Sequence, residues 1–291
     1  MFKNIFKLIT TVFLLAIFAY TQNSFAQLSG QYTIPGTPFA TIAQAVDSLN
    51  QVGVGSGGVT FNVTAGYTEN ITAPITITAT GTAGNAIVFQ KSGAGTNPLV
   101  TRTDAGTLGT TSLGADGDAI FRMEGTDYIT FDGIDVAATD QGIEYGYYTF
   151  KPSGTDGCQF VTITNCVITM TKGTSGYVIG INISNGPLST SSATGVVVTD
   201  ANGRNTNVTI NGNTVQNVHA GVYVRGATAI HDSIVTVGAS GAGNIISNFG
   251  GGSATSTYGV YFIYVDDPSV AYNTITSANH SSTLYGIFYS S

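Results

Sequence analysis

"NVTINGNTVQNVHAGVYV", residues 207–224, alternates apolar and polar positions, breaks at Asn211, Gly212 and Asn213, alternates again, and meets Gly221 before a third alternating run. Period-two alternation puts Val208, Ile210, Val215, Val222 and Val224 on one side of short strands and their neighbours on the other. The same template returns as "YITFDGIDV" from Tyr128, "FVTITNCVI" from Phe160 and "DPSVAYNTI" from Asp267, with a weaker copy, "SIVTVGASGAGNII", that carries an insertion. In each, two inward positions (Ile129 and Phe131, Val161 and Ile163, Pro268 and Val270) precede a turn and one further apolar residue.

Behind each copy stands a glycine inside another alternating run: Gly146, Gly180, Gly221, Gly259 and Gly286, at intervals of 27 to 41 residues. Such intervals belong to solenoids, in which a repeat buries its apolar side only by stacking on the next. Strands that pair with their equivalents one repeat later, at about 4.8 Å per rung, build a parallel β-helix. An antiparallel sandwich would use the same Asn-Gly and Asp-Gly turns as hairpins, but it has no reason to repeat a glycine at a fixed place after each turn.

Asn213, Asn244 and Asn273 fall in one turn slot, where Ile134 and Cys166 stand in earlier coils. Asparagine tolerates a sharp bend and can bond its side-chain amide to the next rung, so these three read as a structural turn ladder. In the glycine-headed strand the outward slot holds Tyr148, Asn182, Tyr223, Tyr261 and Phe288. Stacked rungs make these an aromatic strip, able to hold sugar rings or merely to brace the sheet. Tyr148, Tyr223, Tyr261 and Phe288 are the candidate glycan-binding residues.

The chain of 291 residues is 42% hydrophobic and only 9% charged, with 38 glycines, the composition of a folded, strand-rich protein. Nine Lys and Arg against 16 Asp and Glu leave a net charge of −7, which repels phosphate backbones and argues against a nucleic-acid partner. Residues 1–26 combine Lys3 and Lys7, an apolar run over 8–20, and small Ser24 and Ala26 at a cut site, which reads as a secretory signal peptide. That run is shorter than the ~18 or more residues a membrane span needs, and the mature chain holds no other candidate span. Export would permit Cys158 and Cys166 to pair. Cys166, at a turn slot, reads equally as a small buried residue.

Residues 27–58 form the expected N-terminal cap, with Ile42, Ala45, Val46 and Leu49 at helical spacing behind a Thr41 N-cap. Residues 59–291 form the expected solenoid. The cap segment "FATIAQAV" (residues 39–46) and the following "GYTENI" (residues 66–71) resemble the start of the pectate-lyase-like superfamily. The whole is most similar to large secreted surface proteins of the Bacteroidota and Ignavibacteria type. That resemblance implies a right-handed parallel β-helix. It also leads us to expect that "LYGIFYSS" (residues 284–291), which stops within a coil strand, belongs to a longer protein.

The resemblance implies lyase chemistry through a calcium-binding carboxylate cluster with an Arg or Lys base, or esterase chemistry through two Asp with Arg and Gln. Neither set transfers cleanly onto this chain. Acidic residues gather at Asp116, Asp118, Glu124, Asp127, Asp132 and Asp135 around Arg122. Asp116 and Asp118 are the candidate Ca²⁺ ligands, although Asp-Gly pairs also simply make turns. His219, Arg225, His231 and Asp232 form the other polar group, read as solvated loop residues in preference to an acid-base set. The expectation is a non-catalytic secreted or cell-surface β-helix, structural or adhesive, with extracellular polysaccharide or cell-surface components as partners. The alternative is a polysaccharide lyase or glycoside hydrolase.

Overall fold

The computed structural model describes residues 26–107, 118–174, 177–183, 196–251, 256–277 and 283–291. The expected leader, apart from Ala26, lies outside them.

The chain coils as a parallel β-helix. Each coil contributes one short strand to each of three sheets, of nine, seven and seven strands. One coil runs Val161–Thr164, Val167–Thr169, Ile179–Ile183, and the next Thr206–Asn211, Thr214–Val218, Ala220–Arg225. Equivalent strands pair in parallel, so that Ile163 lies beside Ile210, Ile168 beside Val215, and Ile181 beside Val222. The isolated antiparallel bridges, such as Ala239 with Ala242, sit in tight loops and join no sheets.

Val208, Ile210, Val215, Val222, Val224 and Val260 are all fully buried in one continuous cluster. Burying such a side chain stabilises the fold by about 1.5–3 kcal/mol, and each is covered only because a rung lies on either side. In the early coils the column is aromatic: Phe61, Phe89 and Phe131 stack at 4.6 and 5.4 Å. Pro268, expected inward, is exposed instead, because the last first-sheet strand breaks into Val265–Asp266 and Ser269–Val270 around it.

The recurring glycines have a steric cause. They face inward in the third sheet, where the second sheet's apolar residue of the next coil presses on the backbone. A Cβ at Gly180 would lie 2.2 Å from Val215 Cγ1, one at Gly221 2.5 Å from Ile246 Cγ2, and one at Gly259 2.5 Å from Ile275 Cγ2. The residue just before the first inward position of each copy is also constrained: Tyr128, Phe160, Asn207, Ile234 and Asp267 take φ between 49° and 56°. That left-handed step falls at or near the start of each first-sheet strand. For β-branched Ile234 it costs on the order of 1 kcal/mol.

At the corner between first and second sheets the asparagines bond rung to rung. Asn213 Nδ2 donates to Asn244 Oδ1 at 3.1 Å and Asn244 Nδ2 to Asn273 Oδ1 at 2.8 Å. The same oxygens accept the backbone N–H of the preceding member, Asn213 at 3.0 Å and Asn244 at 2.9 Å, while Asn213 Oδ1 accepts that of Cys166 at 2.9 Å.

The cap is one helix, α1 (Ile42–Val52), which buries Ile42, Ala45, Val46 and Leu49 and is N-capped by Thr41 Oγ1, accepting from Gln44 N at 3.1 Å. Glu69, buried in the following coil, accepts the N–H groups of Ile42 at 2.7 Å and Ala43 at 3.1 Å, and Tyr67 Oη donates to it at 3.0 Å. A carboxylate at a helix N-terminus meets both the orphan donors and the favourable end of the dipole. The Tyr and Glu of "GYTENI" therefore lock the cap onto the coil.

Candidate functional site

The third sheet's outer side carries two adjacent columns. One runs Arg122, Tyr148, Asn182, Tyr223, Tyr261, Phe288, each residue paired with the next. The other runs Ala119, Tyr145, Ile179, Ala220, Tyr258, Tyr285.

Tyr148 and Tyr223, expected to face solvent, are completely buried. They point away from the coil interior but into a second apolar cluster with Tyr145, Phe150, Tyr177 and Tyr258. The physical reason is crowding: the Tyr145 and Tyr148 rings lie 4.9 Å apart and Phe150 closes on Tyr148 at 6.3 Å. Only towards the last rungs does the strip open, where Tyr261, Tyr285 and Phe288 are partly exposed. There Tyr258 stacks on Tyr261 at 4.1 Å and on Tyr285 at 5.2 Å, and Phe288 meets Tyr261 edge-on at 5.1 Å. Desolvation pushes the Tyr261 phenol up to about 12, reinforced by Tyr258, and also raises Tyr223 and Tyr258. These hydroxyls stay protonated and can donate hydrogen bonds, but they are poor bases.

Polar groups flank the rings. Arg122 pairs with Glu124 at 2.7 Å and lies 4.3 Å over the Phe150 ring, which engages it within the sheet. Arg225, one position beyond Val224, lines a cavity of about 140 Å³ with Val196, Val198, Ala227, Thr228 and Tyr264. Tyr264 lies 5.6 Å from the His231 ring, and His231 Nδ1 is 2.9 Å from Asp266 Oδ1. An imidazole oriented by a carboxylate, a guanidinium and a phenol therefore share one corner of the coil. That cavity is small beside the ~300–1,000 Å³ of drug-sized sites, room for one charged group or the edge of one ring.

The four residues of the second polar group are not brought together, and two are not solvated. His219 is fully buried, with Nδ1 accepting from Val178 N at 2.9 Å. Desolvation, with a smaller contribution from Lys172, lowers its pKa to about 4. Asp232 is fully buried against Lys151. Arg225 and His231 remain, and the carboxylate partner of His231 is Asp266, which the sequence reading overlooked in favour of adjacent Asp232.

The acidic group acts mainly as corner bracing. Asp127 accepts from Gln159 N at 2.7 Å, Asp132 from Asn165 Nδ2 at 2.7 Å, and Asp135 from Val167 N at 2.7 Å and Asn97 Nδ2 at 2.8 Å. Asp118 contacts Arg102 at 3.2 Å and accepts Thr107 N at 2.6 Å, while Asp116 lies outside the described residues. Among the described residues no three His, Cys, Asp or Glu cluster as metal ligands, and no helix is long and apolar enough to cross a membrane. Cys158 and Cys166 are free and buried.

Tyr258 and Tyr285 were missed as part of the strip although each directly precedes a repeat glycine, a signal as regular as the one that follows it. Lys151 and Asn205 carried no pattern at all.

No protein-family profile matches the chain, and no curated protein matches it. Two solved structures are similar to it over 90% of its length. One is a rhamnogalacturonan lyase at 14% identity with a TM-score of 0.39, of which this chain spans 62%. The other is an alginate lyase from Paenibacillus sp. at 13% identity with a TM-score of 0.34, 98% of which is covered. Likenesses this distant carry no inference about chemistry, so the functional reading rests on the residues themselves.

Proposed function

We propose that this chain is an exported β-helix that binds extracellular polysaccharide along the outer side of its third sheet. The observation that supports this reading is the run of partly exposed rings, Tyr261, Tyr285 and Phe288, on successive rungs beside Arg225. Flat apolar faces with phenolic donors at their edges suit sugar rings, and a guanidinium nearby suits a sugar carboxylate. Affinity electrophoresis through gels containing neutral or uronate polymers tests it. Retardation that Tyr261→Ala with Phe288→Ala abolishes is the expected result. No retardation in any polymer, or retardation indifferent to both changes, overturns it.

A second reading, cleavage of a uronate polymer by β-elimination, draws on the corner formed by Arg225, His231, Asp266 and Tyr264. Elimination needs a base for the proton beside the carboxylate, a cation against that carboxylate, and an acid for the leaving oxygen. The imidazole, Arg225 and the Tyr264 phenol are the residues for those roles. Formation of unsaturated ends by the native chain and not by His231→Ala would favour cleavage over binding alone. Absence of such ends with every uronate polymer tried would remove this second reading.

A further inference from the structure

Lys151 and Asp232 lie 81 positions apart, yet Lys151 Nζ is 2.5 Å from Asp232 Oδ1 and both side chains are wholly excluded from solvent. Lys151 follows the third-sheet strand Ile143–Phe150; Asp232 opens the first-sheet strand Asp232–Val237, with the strands Val161–Thr164 and Thr206–Asn211 intervening in that sheet. Asn205 holds the carboxyl from the other side: its backbone N–H donates to Oδ1 at 2.8 Å and its Nδ2 to Oδ2 at 2.9 Å, while its own Oδ1 accepts from Cys158 N at 2.9 Å.

A lysine and an aspartate held as ions in a dry interior carry a heavy desolvation cost. Burial pushes the Asp232 carboxyl up, against the lowering effect of Lys151. Condensation requires the proton to pass from nitrogen to oxygen, which the direct contact allows. That contact fixes the amine directly against the carboxyl group, and holding two reacting groups together is what makes intramolecular reactions fast. The two Asn205 donors are aimed at the carboxyl oxygens, where negative charge develops when a nucleophile adds.

We propose that Lys151 and Asp232 condense into an intramolecular amide bond. The lone pair of Nζ attacks Cγ, a C–N bond forms, and one C–O bond of the carboxyl group breaks. The departing oxygen takes the carboxyl proton and one amine proton and leaves as water. No oxidant or co-reactant is required. The product ties the corner after one coil to the start of another further along the solenoid, so that the intervening coils cannot be peeled apart in sequence.

The test is the intact mass of the folded, purified chain measured after denaturation, followed by fragmentation of its proteolytic peptides. The expected result is a mass one water below that of the sequence, with a branched peptide joining Lys151 to Asp232, and the sequence mass restored in Lys151→Arg and Asp232→Ala. Asn205→Ala should slow the loss of water. An unchanged mass after prolonged incubation of the native chain overturns the proposal whether or not any variant folds. A water deficit that fragmentation places elsewhere, such as a cyclised Asp132-Gly133, overturns it equally.

Discussion

Glu69 Oε2 accepts the backbone N–H of Ile42 at 2.7 Å, across 27 residues of chain. The contact joins the only α-helix among the described residues to the first full coil, and it supplies a buried partner for a donor that no helix can satisfy internally. Glu69→Gln keeps the volume but offers one acceptor where two are used. We expect a loss of about 1–3 kcal/mol in chemical denaturation, with far-ultraviolet dichroism showing the coils retained at low denaturant.

Gly221 should not tolerate a methyl group. Its Cβ would meet Ile246 Cγ2 at 2.5 Å and Gly259 O at 2.6 Å. Gly221→Ala is expected to cost about 1–3 kcal/mol through overpacking. Adding Ile246→Ala should recover part of that loss, a coupling that a double-mutant cycle measures directly. Independent, additive losses would mean that the close approach to Ile246 does not explain the glycine.

Asn244 stands in the middle of its ladder, accepting from Asn213 and donating to both Asn273 and Ile210 O. Asn244→Ala leaves the Asn213 N–H and the Ile210 carbonyl without these partners, at about 1–3 kcal/mol for each group stranded in the interior. Asn244→Asp should also be unfavourable, since a carboxylate cannot donate to Asn273 or Ile210. Equal stability of native and Asn244→Ala chains in urea would contradict the ladder's structural role.

Stability should fall on acidification in a window set partly by His219. Its folded pKa of about 4 lies below the ordinary imidazole value of 6.5, so between those values the unfolded chain binds more protons than the folded one. The neutral, buried imidazole therefore favours folding above pH 6.5, and that advantage, up to ~3 kcal/mol, disappears as pH drops through 4. Thermal melts at a series of pH values should show this dependence reduced in His219→Gln. An unchanged pH profile would place the acid-sensitive group elsewhere.

Burial raises the thiol pKa of both Cys158 and Cys166 to about 12, so almost no thiolate is present at neutral pH. A thiol reagent should label neither in the native chain and both after denaturation. Labelling of the folded protein at the rate of a free thiol would contradict the burial of both side chains.

The coil was legible in the sequence because its inward positions depend on the nearest residues. Val208, Ile210 and Val215 alternate within one repeat, and a repeated glycine betrays a repeated steric constraint. Surroundings contributed by distant chain were not legible. Outwardness could be read for Tyr148 and Tyr223, but not accessibility, because that depends on how Tyr145, Phe150 and Tyr177 crowd the same side of the sheet. Asp232 looked like a loop residue because its partners, Lys151 and Asn205, stand 81 and 27 positions away. Asp266 escaped notice for the same reason: nothing local ties it to His231, 35 positions earlier.

The asparagine corner also bears on where this solenoid can accept new sequence. Three successive coils cross that corner with two residues between strands, as from Thr164 to Val167. The next coil spends seven, Gly238 to Asn244, folding the surplus into a small hairpin through Ala239 and Ala242 before Asn244 returns to its station. Additional chain is thus accommodated upstream of the amide, provided the strand behind it restarts in phase. Grafted segments placed between Gly238 and Gly243 should be carried as passengers, whereas a single residue inserted between Asn244 and Ile246 would shift the strand by one and turn its oily side outward.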